Sequence, residues 1–71
     1  MSDADEPMAV LRWDFMGEAG HRIHGEREMR TRSQAQAVCD IMNKIYGDGT
    51  HWVTVLNETW AERVAARAEG T

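Results

Sequence analysis

One segment of the 71-residue chain, TRSQAQAVCDIMNKIYG, constrains the fold most strongly because it carries both the start and the stop signal of an α-helix. Thr31 and Ser33 are each followed three residues later by a glutamine, so either hydroxyl can accept a hydrogen bond from a free N–H of the first turn. Gly47 supplies a residue that readily adopts the left-handed conformation at which helices commonly end. The sequence therefore predicts a helix over residues 31–47.

The apolar residues of this segment recur at helical spacing, and the polar residues lie on the opposite side. The apolar side consists of Ala35, Val38, Cys39, Ile41, Met42, Ile45 and Tyr46. This pattern is typical of an amphipathic helix with one buried face. The single cysteine, Cys39, is predicted to be a small core residue, because it cannot form an intrachain disulfide and lies mid-helix, away from the helix end that would activate a thiol.

Alternation of apolar and polar residues after Met8 predicts a β-strand that leads into a hairpin. The alternating residues on the apolar face are Leu11, Trp13 and Phe15. Residues 17–20, which include two glycines, predict the hairpin loop, and residues 21–29 predict the second strand. Gly25 interrupts that strand, which favours a bulge or the close approach of another backbone.

The last third of the chain predicts a third strand and a short helix. Residues 50–57 are rich in β-branched and aromatic residues, as strands are. Thr59 repeats the capping pattern and precedes a narrow apolar stripe, which predicts a helix of about ten residues. A fourth strand is the alternative for this segment.

These elements predict an α+β fold in the order β-β-α-β. A three-stranded antiparallel sheet carries one main helix packed on one face, with the third strand beside the first, and a short C-terminal helix follows. The predicted core consists of one face of the third strand together with Leu11, Trp13, Phe15, Ile23, Val38, Met42 and Ile45.

Length and composition predict one domain with a short leading segment. Residues 1–7, MSDADEP, are acidic and without periodicity, which predicts a mobile acidic lead, and residues 8–71 are predicted to form a single compact α+β domain. No apolar run is long enough to span a membrane, and the N-terminus is acidic where a signal peptide is basic and then apolar. The sequence therefore favours a cytoplasmic protein with no membrane partner.

The formal net charge of −4 is unevenly distributed, which suggests two partner-binding regions. The acidic candidates, suited to a basic channel on a partner, are Asp3, Asp5, Glu6, Asp14 and Glu18. A basic strip consists of Arg22, His24, Arg27, Arg30 and Arg32. Its last two arginines lie beside the predicted helix start, where free N–H groups favour an anion. The alternative is that Glu26, Glu28 and the acidic lead neutralise the strip.

Three tryptophans are more than a core of this size requires. Trp52 and Trp60 are therefore candidate interface anchors, a role in which tryptophan is favoured. The alternative is that all the tryptophans fill the core.

The chain carries no pattern that predicts catalysis, a metal or a cofactor. His21 and His24 are three apart on a predicted strand and point to opposite faces, so they cannot share one ion. The glycines match neither nucleotide-binding spacing, and no nucleophile motif is present. The sequence thus predicts a protein that is not an enzyme.

The hairpin VLRWDFMGEAGHRIHGE, the helix TRSQAQAVCDIMNKI and the strand THWVTVL together resemble the strand-strand-helix-strand layout of small phage-encoded inhibitors, including some anti-CRISPR proteins. The resemblance implies a protein that occupies a surface of a host protein complex, commonly where nucleic acid would bind. It rests on layout and charge, and no functional residue is carried over.

We therefore expect a small non-enzymatic interaction protein, of the phage or mobile-element inhibitor kind, that blocks a nucleic-acid or partner surface of a host protein complex. The alternative is a small dimeric nucleic-acid-binding regulatory protein that uses the basic strip from Arg22 to Arg32. Homodimerisation through the third strand or the C-terminal helix is compatible with both.

Overall fold

A computed structural model describes residues 6–69, in which a three-stranded antiparallel sheet carries a long helix on one face. The elements are β1 (Pro7–Met16), β2 (Arg22–Met29), α1 (Arg32–Tyr46), β3 (His51–Thr59) and α2 (Trp60–Glu69). The central strand is β1, which pairs antiparallel with β2 on one side and β3 on the other. The predicted α+β fold is confirmed, and the alternative of a fourth strand at the C-terminal end is wrong.

The strand register defines two faces of the sheet. The helix face, on which α1 packs, carries the odd-numbered residues of β1 and their neighbours, so Leu11 lies between Arg27 and Val53. The other face, which we call the open face, carries the even-numbered residues, so Arg12 lies between Glu26 and Trp52. This face is exposed from Arg12 toward the hairpin, whereas Val10 is buried near its other end. The α2 helix is tied to the strands by Arg63, which donates to carboxylates of both β2 and β3.

The start of α1 uses one of the two competing caps. Thr31 is the N-cap, and its hydroxyl oxygen accepts a hydrogen bond from the Gln34 backbone N–H at 3.1 Å. Ser33 instead donates from its hydroxyl to Glu6 at 2.6 Å. Gly47 follows the last helical residue with φ 116°, and its N–H bonds the Asn43 carbonyl at 2.9 Å. Both predicted ends of the helix are confirmed.

The core is smaller than predicted and lies between α1 and the middle of the sheet. Its buried residues are Ala9, Leu11, Met29, Ala35 and Cys39, with Trp13, Val38 and Val53 half-buried against them. Val10, on the other face of the sheet, and Met8 are buried as well. The prediction that Ile23 and Ile45 are core residues is wrong, since both are exposed. The physical reason is that α1 lies mainly across β3 and β1 and leaves most of the helix face of β2 uncovered.

Gly25 does not form a bulge, so that part of the prediction is wrong. The pairing of β1 with β2 runs without a break from Ala9 opposite Met29 to Met16 opposite Arg22. The close approach at Gly25 is made by a side chain, the ring of Trp13, and not by the predicted backbone. The register shift in the sheet lies between Pro7 and Ala9, where β1 pairs with β3.

The leading segment is only partly within the described structure. Residues 1–5 of the predicted acidic lead lie outside the described residues. Pro7, the last residue of that segment, begins β1 and pairs with Thr59.

The molecule is flat. Its principal extents are 45 × 29 × 14 Å and its radius of gyration is 14.5 Å, against about 11 Å expected for a compact domain of this length. A flat shape leaves much apolar surface exposed to solvent.

Candidate functional site

An apolar groove lies on the helix face of the sheet, between α1 and β2. It is lined by Leu11, Trp13, Arg27, Met29, Val38 and Met42. The groove exists because α1 packs mainly on β3 and β1 and stands beside β2 instead of covering it. We call this feature the α1–β2 groove.

Exposed isoleucines extend the apolar lining of the α1–β2 groove. Ile41 and Ile45 are 57% and 65% exposed, and each follows a lining residue of α1 by three positions, so they lie on the same side of the helix. Ile23 of β2 is also exposed on the helix face. Large exposed apolar patches mark interaction sites.

Arg27 is the one charged residue that lines the α1–β2 groove. Its neighbour on β1 is Leu11, and no carboxylate of residues 6–68 forms an ion pair with it. A guanidinium presents five N–H donors and remains charged at any physiological pH. The groove therefore combines an apolar floor with a cation that is available to a carboxylate.

The structure separates the residues of the predicted basic strip. Arg22 and His24 lie on the open face, whereas Arg27 lies on the helix face. The guanidinium of Arg30 stacks over the ring of Trp60 at 4.7 Å from its centroid. Arg32 is the first residue of α1 and is exposed. These side chains do not form one continuous cationic surface.

Arg22 is occupied by a carboxylate of its own chain. Its Nε and Nη2 donate to the two carboxylate oxygens of Asp14 at 2.9 and 2.6 Å. This paired hydrogen bonding raises the pKa of Arg22 and lowers the pKa of Asp14. Arg22 is thus neutralised by Asp14, a carboxylate that the prediction did not name. The prediction that Glu26 and Glu28 neutralise the strip is wrong, because they pair with Arg12 and Arg63, which lie outside it.

The acidic candidates that the structure describes lie at opposite ends of the sheet. Asp14 is near the hairpin and Glu18 is exposed in the loop. Glu6 precedes the other end of β1, about 30 Å along a strand of this length. The hydrogen bond donated by the Ser33 side chain lowers the pKa of Glu6. The remaining two candidates, Asp3 and Asp5, lie outside the described residues.

The two candidate interface anchors differ in accessibility. Trp52 lies on the open face with 44% of its surface exposed, next to Arg12 in the sheet register. Arg12 forms an ion pair with Glu26 on the other side, at 3.5 Å. Trp60 is half-buried beneath Arg30. Trp52 is therefore the more accessible of the two for contact with a partner.

A polar residue of α1, Asn43, connects the helix to the start of β3, and no pattern in the sequence predicts this role. Its side-chain oxygen accepts from the His51 backbone N–H at 2.9 Å and from the Thr50 hydroxyl at 3.1 Å. Its side-chain nitrogen donates to the His51 carbonyl at 3.2 Å. The helical pattern places Asn43 only on the polar side, because its partners come from a strand that follows the helix in the chain.

His51 lies buried within an aromatic cluster. Its ring centroid is 5.7 to 5.9 Å from those of Trp13, Phe15 and Tyr46. Its Nδ1 is 2.9 Å from the Thr50 hydroxyl. Burial lowers the pKa of His51, because the surroundings disfavour the charged imidazolium. The cluster favours a neutral His51 that packs as an aromatic ring.

Cys39 is confirmed as a small core residue. It is 3% exposed, and burial raises the pKa of its thiol. The side-chain nitrogen of Asn43 lies 3.6 Å from its Sγ. A reactive cysteine needs a lowered pKa and access to solvent, and Cys39 has neither. No group of three or more metal-ligating side chains occurs within residues 6–69.

These features define a small α+β protein with an apolar, arginine-bearing groove beside an edge strand. Comparison with protein-family models, with curated proteins and with solved structures found no match. Neither of the two helices in the described part of the chain is long and apolar enough to cross a membrane.

Proposed function

We propose that this chain is a small non-enzymatic interaction protein that binds a protein partner in the α1–β2 groove. The observation that carries the proposal is Arg27, a cation without an ion-pair partner among the side chains of residues 6–68, set among apolar lining residues. Such a groove suits a partner segment that presents apolar side chains together with one carboxylate.

Energetic considerations support a macromolecular partner. The exposed parts of Ile41 and Ile45 adjoin the groove, and burial of apolar surface stabilises a complex by about 25 cal/mol per Å² before the costs of association. The flat shape of the molecule offers this surface without rearrangement of the sheet.

In its narrower form, the proposal is that the partner is a host protein complex in the cytoplasm and that binding blocks its nucleic-acid or partner surface. The resemblance of the strand and helix layout to small phage-encoded inhibitors and the net charge of −4 support this form. The alternative of a nucleic-acid-binding regulator has less support, because Arg22 is held by Asp14 and Arg27 lies on the opposite face of the sheet.

The test uses the immobilised protein, nuclease-treated lysate of the organism that carries the gene, and two groove variants. Ile41→Glu and Arg27→Glu change exposed residues, so the fold is expected to survive and circular dichroism checks it. The matched control is Val64→Glu, since Val64 is an exposed apolar residue of α2, away from the groove. We expect a partner to be retained by the wild type and the control, with affinity reduced at least about tenfold in both groove variants.

Retention of no protein, or equal retention by the wild type and both groove variants, would overturn the proposal. The narrower form has its own test with the purified partner. The wild type should compete with that partner's nucleic acid or protein ligand, and the Ile41→Glu variant should not. Binding without competition would remove the inhibitor form and leave the binding function in place.

A further inference from the structure

The outer edge of β2 is unpaired within the described chain. β2 pairs with β1 along its whole length, and no other strand of residues 6–69 lies beside it. An edge strand presents a row of free N–H and C=O groups that can accept another strand. What a second strand would meet depends on which residues point these groups outward.

The outward backbone groups of β2 belong to its even-numbered residues. The Gly17 N–H donates to the His21 carbonyl at 2.8 Å, and in an antiparallel pair the bonded positions alternate. Odd-numbered residues of β2 therefore bond to β1. On the other side of β1, the Asp14 N–H donates to the Thr50 carbonyl at 3.0 Å. An even-numbered residue of β1 thus bonds toward β3, which agrees with the odd-numbered residues bonding toward β2.

The side chains of these even-numbered residues lie together on the open face, in an ordered sequence of charge. Along the strand they are Arg22, His24, Glu26 and Glu28. Two basic groups are followed by two acidic groups. Reversal of the strand reverses the order of signs, so the row is complementary to an antiparallel copy of itself.

We propose that two copies of the chain pair through their β2 edges, antiparallel, about a two-fold axis at Gly25. In this register Arg22 lies opposite Glu28 of the second copy, and His24 lies opposite Glu26 of the second copy. All four residues point their backbone groups toward the second copy, so the ladder of hydrogen bonds and the charge pairs form together. The two sheets become one continuous antiparallel sheet.

Neighbouring registers are disfavoured. If the second copy slides along the strand by two residues in one direction, Glu26 lies opposite Glu26 of the second copy. If it slides by two residues in the other direction, His24 lies opposite His24 of the second copy. A shift of one position brings side chains from opposite faces into register, which a paired sheet does not allow. The register at Gly25 is thus the one in which each of the four pairs joins a basic residue to an acidic residue.

The charged groups retain capacity for these pairs. Asp14 uses Nε and Nη2 of Arg22 and leaves Nη1 free. Glu26 forms a long ion pair of 3.5 Å with Arg12 on an exposed face. Glu28 accepts from Arg63 through Oε2, so its Oε1 remains for Arg22 of the second copy. Charges on edge strands commonly prevent association, but here the sign order converts them into attraction between copies. The two-fold axis keeps both α1–β2 grooves on one face and open, so the dimer and the proposed function use different surfaces.

The first test is a charge-swapped pair of variants. Arg22→Glu with His24→Glu makes the row wholly acidic, and Glu26→Arg with Glu28→Arg makes it basic. We expect the wild type to be a dimer at micromolar concentration by sedimentation equilibrium, and each variant alone to dimerise at least about tenfold more weakly. An equimolar mixture should restore a heterodimer. The variants also lose the contact of Arg22 with Asp14 or that of Glu28 with Arg63. This loss is the same in the single and the mixed samples, so recovery of dimerisation in the mixture reports the pairing between copies.

The second test is amide exchange of the wild type followed residue by residue. The outward amides of His24 and Glu26 should become protected as concentration rises, whereas the outward amide of Val53 on β3 should not. Protection at Val53 alone would place the interface on β3 and overturn the proposal. A monomer at every accessible concentration, or variants that fail to recombine while each remains folded, would do so as well.

Discussion

The indole ring of Trp13 lies against the α-carbon of Gly25 on the adjacent strand, so closely that a Cβ at Gly25 would be 2.7 Å from Cζ2 of the ring. On the other side of Trp13 in the register is His51, whose ring stacks on the indole at 5.9 Å between centroids. The side chain of Trp13 therefore links all three strands in one row across the sheet. The position on β2 in this row must be a glycine, because the indole leaves no room for a Cβ.

Gly25→Ala should destabilise the protein. A Cβ that close to a half-buried ring forces the indole or the strand to move, which costs about 1–3 kcal/mol of unfolding free energy. Urea denaturation measures the change. The double variant with Trp13→Leu serves as the control, because a smaller side chain relieves the clash and should make the double cost less than the sum of the single costs. Additive costs would contradict this account of Gly25.

Asn43→Ala should be costly because Asn43 satisfies both backbone groups of His51, a buried residue. Loss of the amide leaves these groups without partners, and we expect a decrease of about 2–3 kcal/mol in the free energy of unfolding. The matched control is Gln36→Ala, which removes one exposed bond to Asp40 and should change stability by no more than about 0.5 kcal/mol. Similar effects of the two substitutions would refute the role given to Asn43.

Stability should fall on mild acidification because of His51. Burial lowers the pKa of His51 in the folded protein, so the unfolded chain takes up a proton first as the pH drops below about 6.5. The contribution of neutral His51 to the free energy of unfolding is complete above that pH. It is lost as the pH falls toward the lower pKa that His51 has in the folded protein, at no more than about 1.4 kcal/mol per pH unit. Urea denaturation between pH 8 and pH 5 measures it, and His51→Phe should flatten the curve. An unchanged slope in that variant would assign the effect to other groups.

Cys39 should react slowly with a thiol reagent in the folded protein. Its burial and raised pKa predict modification at pH 8 at least about tenfold slower than that of a free thiol. Denaturation in urea should restore the free-thiol rate, which serves as the internal control. Rapid reaction of the native protein would indicate an accessible thiolate and would reopen the question of a catalytic role.

Local patterns were sufficient to predict the elements and the strand order. The caps at Thr31 and Thr59 and the alternation through Leu11 and Trp13 act over a few residues, so they can be recognised in the chain. A helix that returns the chain after a hairpin then allows the third strand to lie beside the first.

The extent of burial and the polar contacts depend on how wide the sheet is and where the helix crosses it. Helical periodicity indicates that Val38, Cys39 and Ile45 share one side of α1. It does not indicate how much of that side the sheet covers, and the sheet covers the part with Cys39 but not the part with Ile45. The same limit applies to Asn43 and His51, which meet only after β3 has been added. The α1–β2 groove is a direct result of this incomplete coverage and was not predicted.

The central position of β1 implies an order of events in folding. Its pairing with β2 spans a short loop, and hairpins of this kind form in about 1–10 μs. Its pairing with β3 joins residues as distant in the chain as Ala9 and Val55, so it forms later, after α1 has brought the chain back. During synthesis β1 is therefore an unprotected edge with Leu11 and Trp13 exposed, and the last strand to emerge is the one that protects the nascent protein from aggregation.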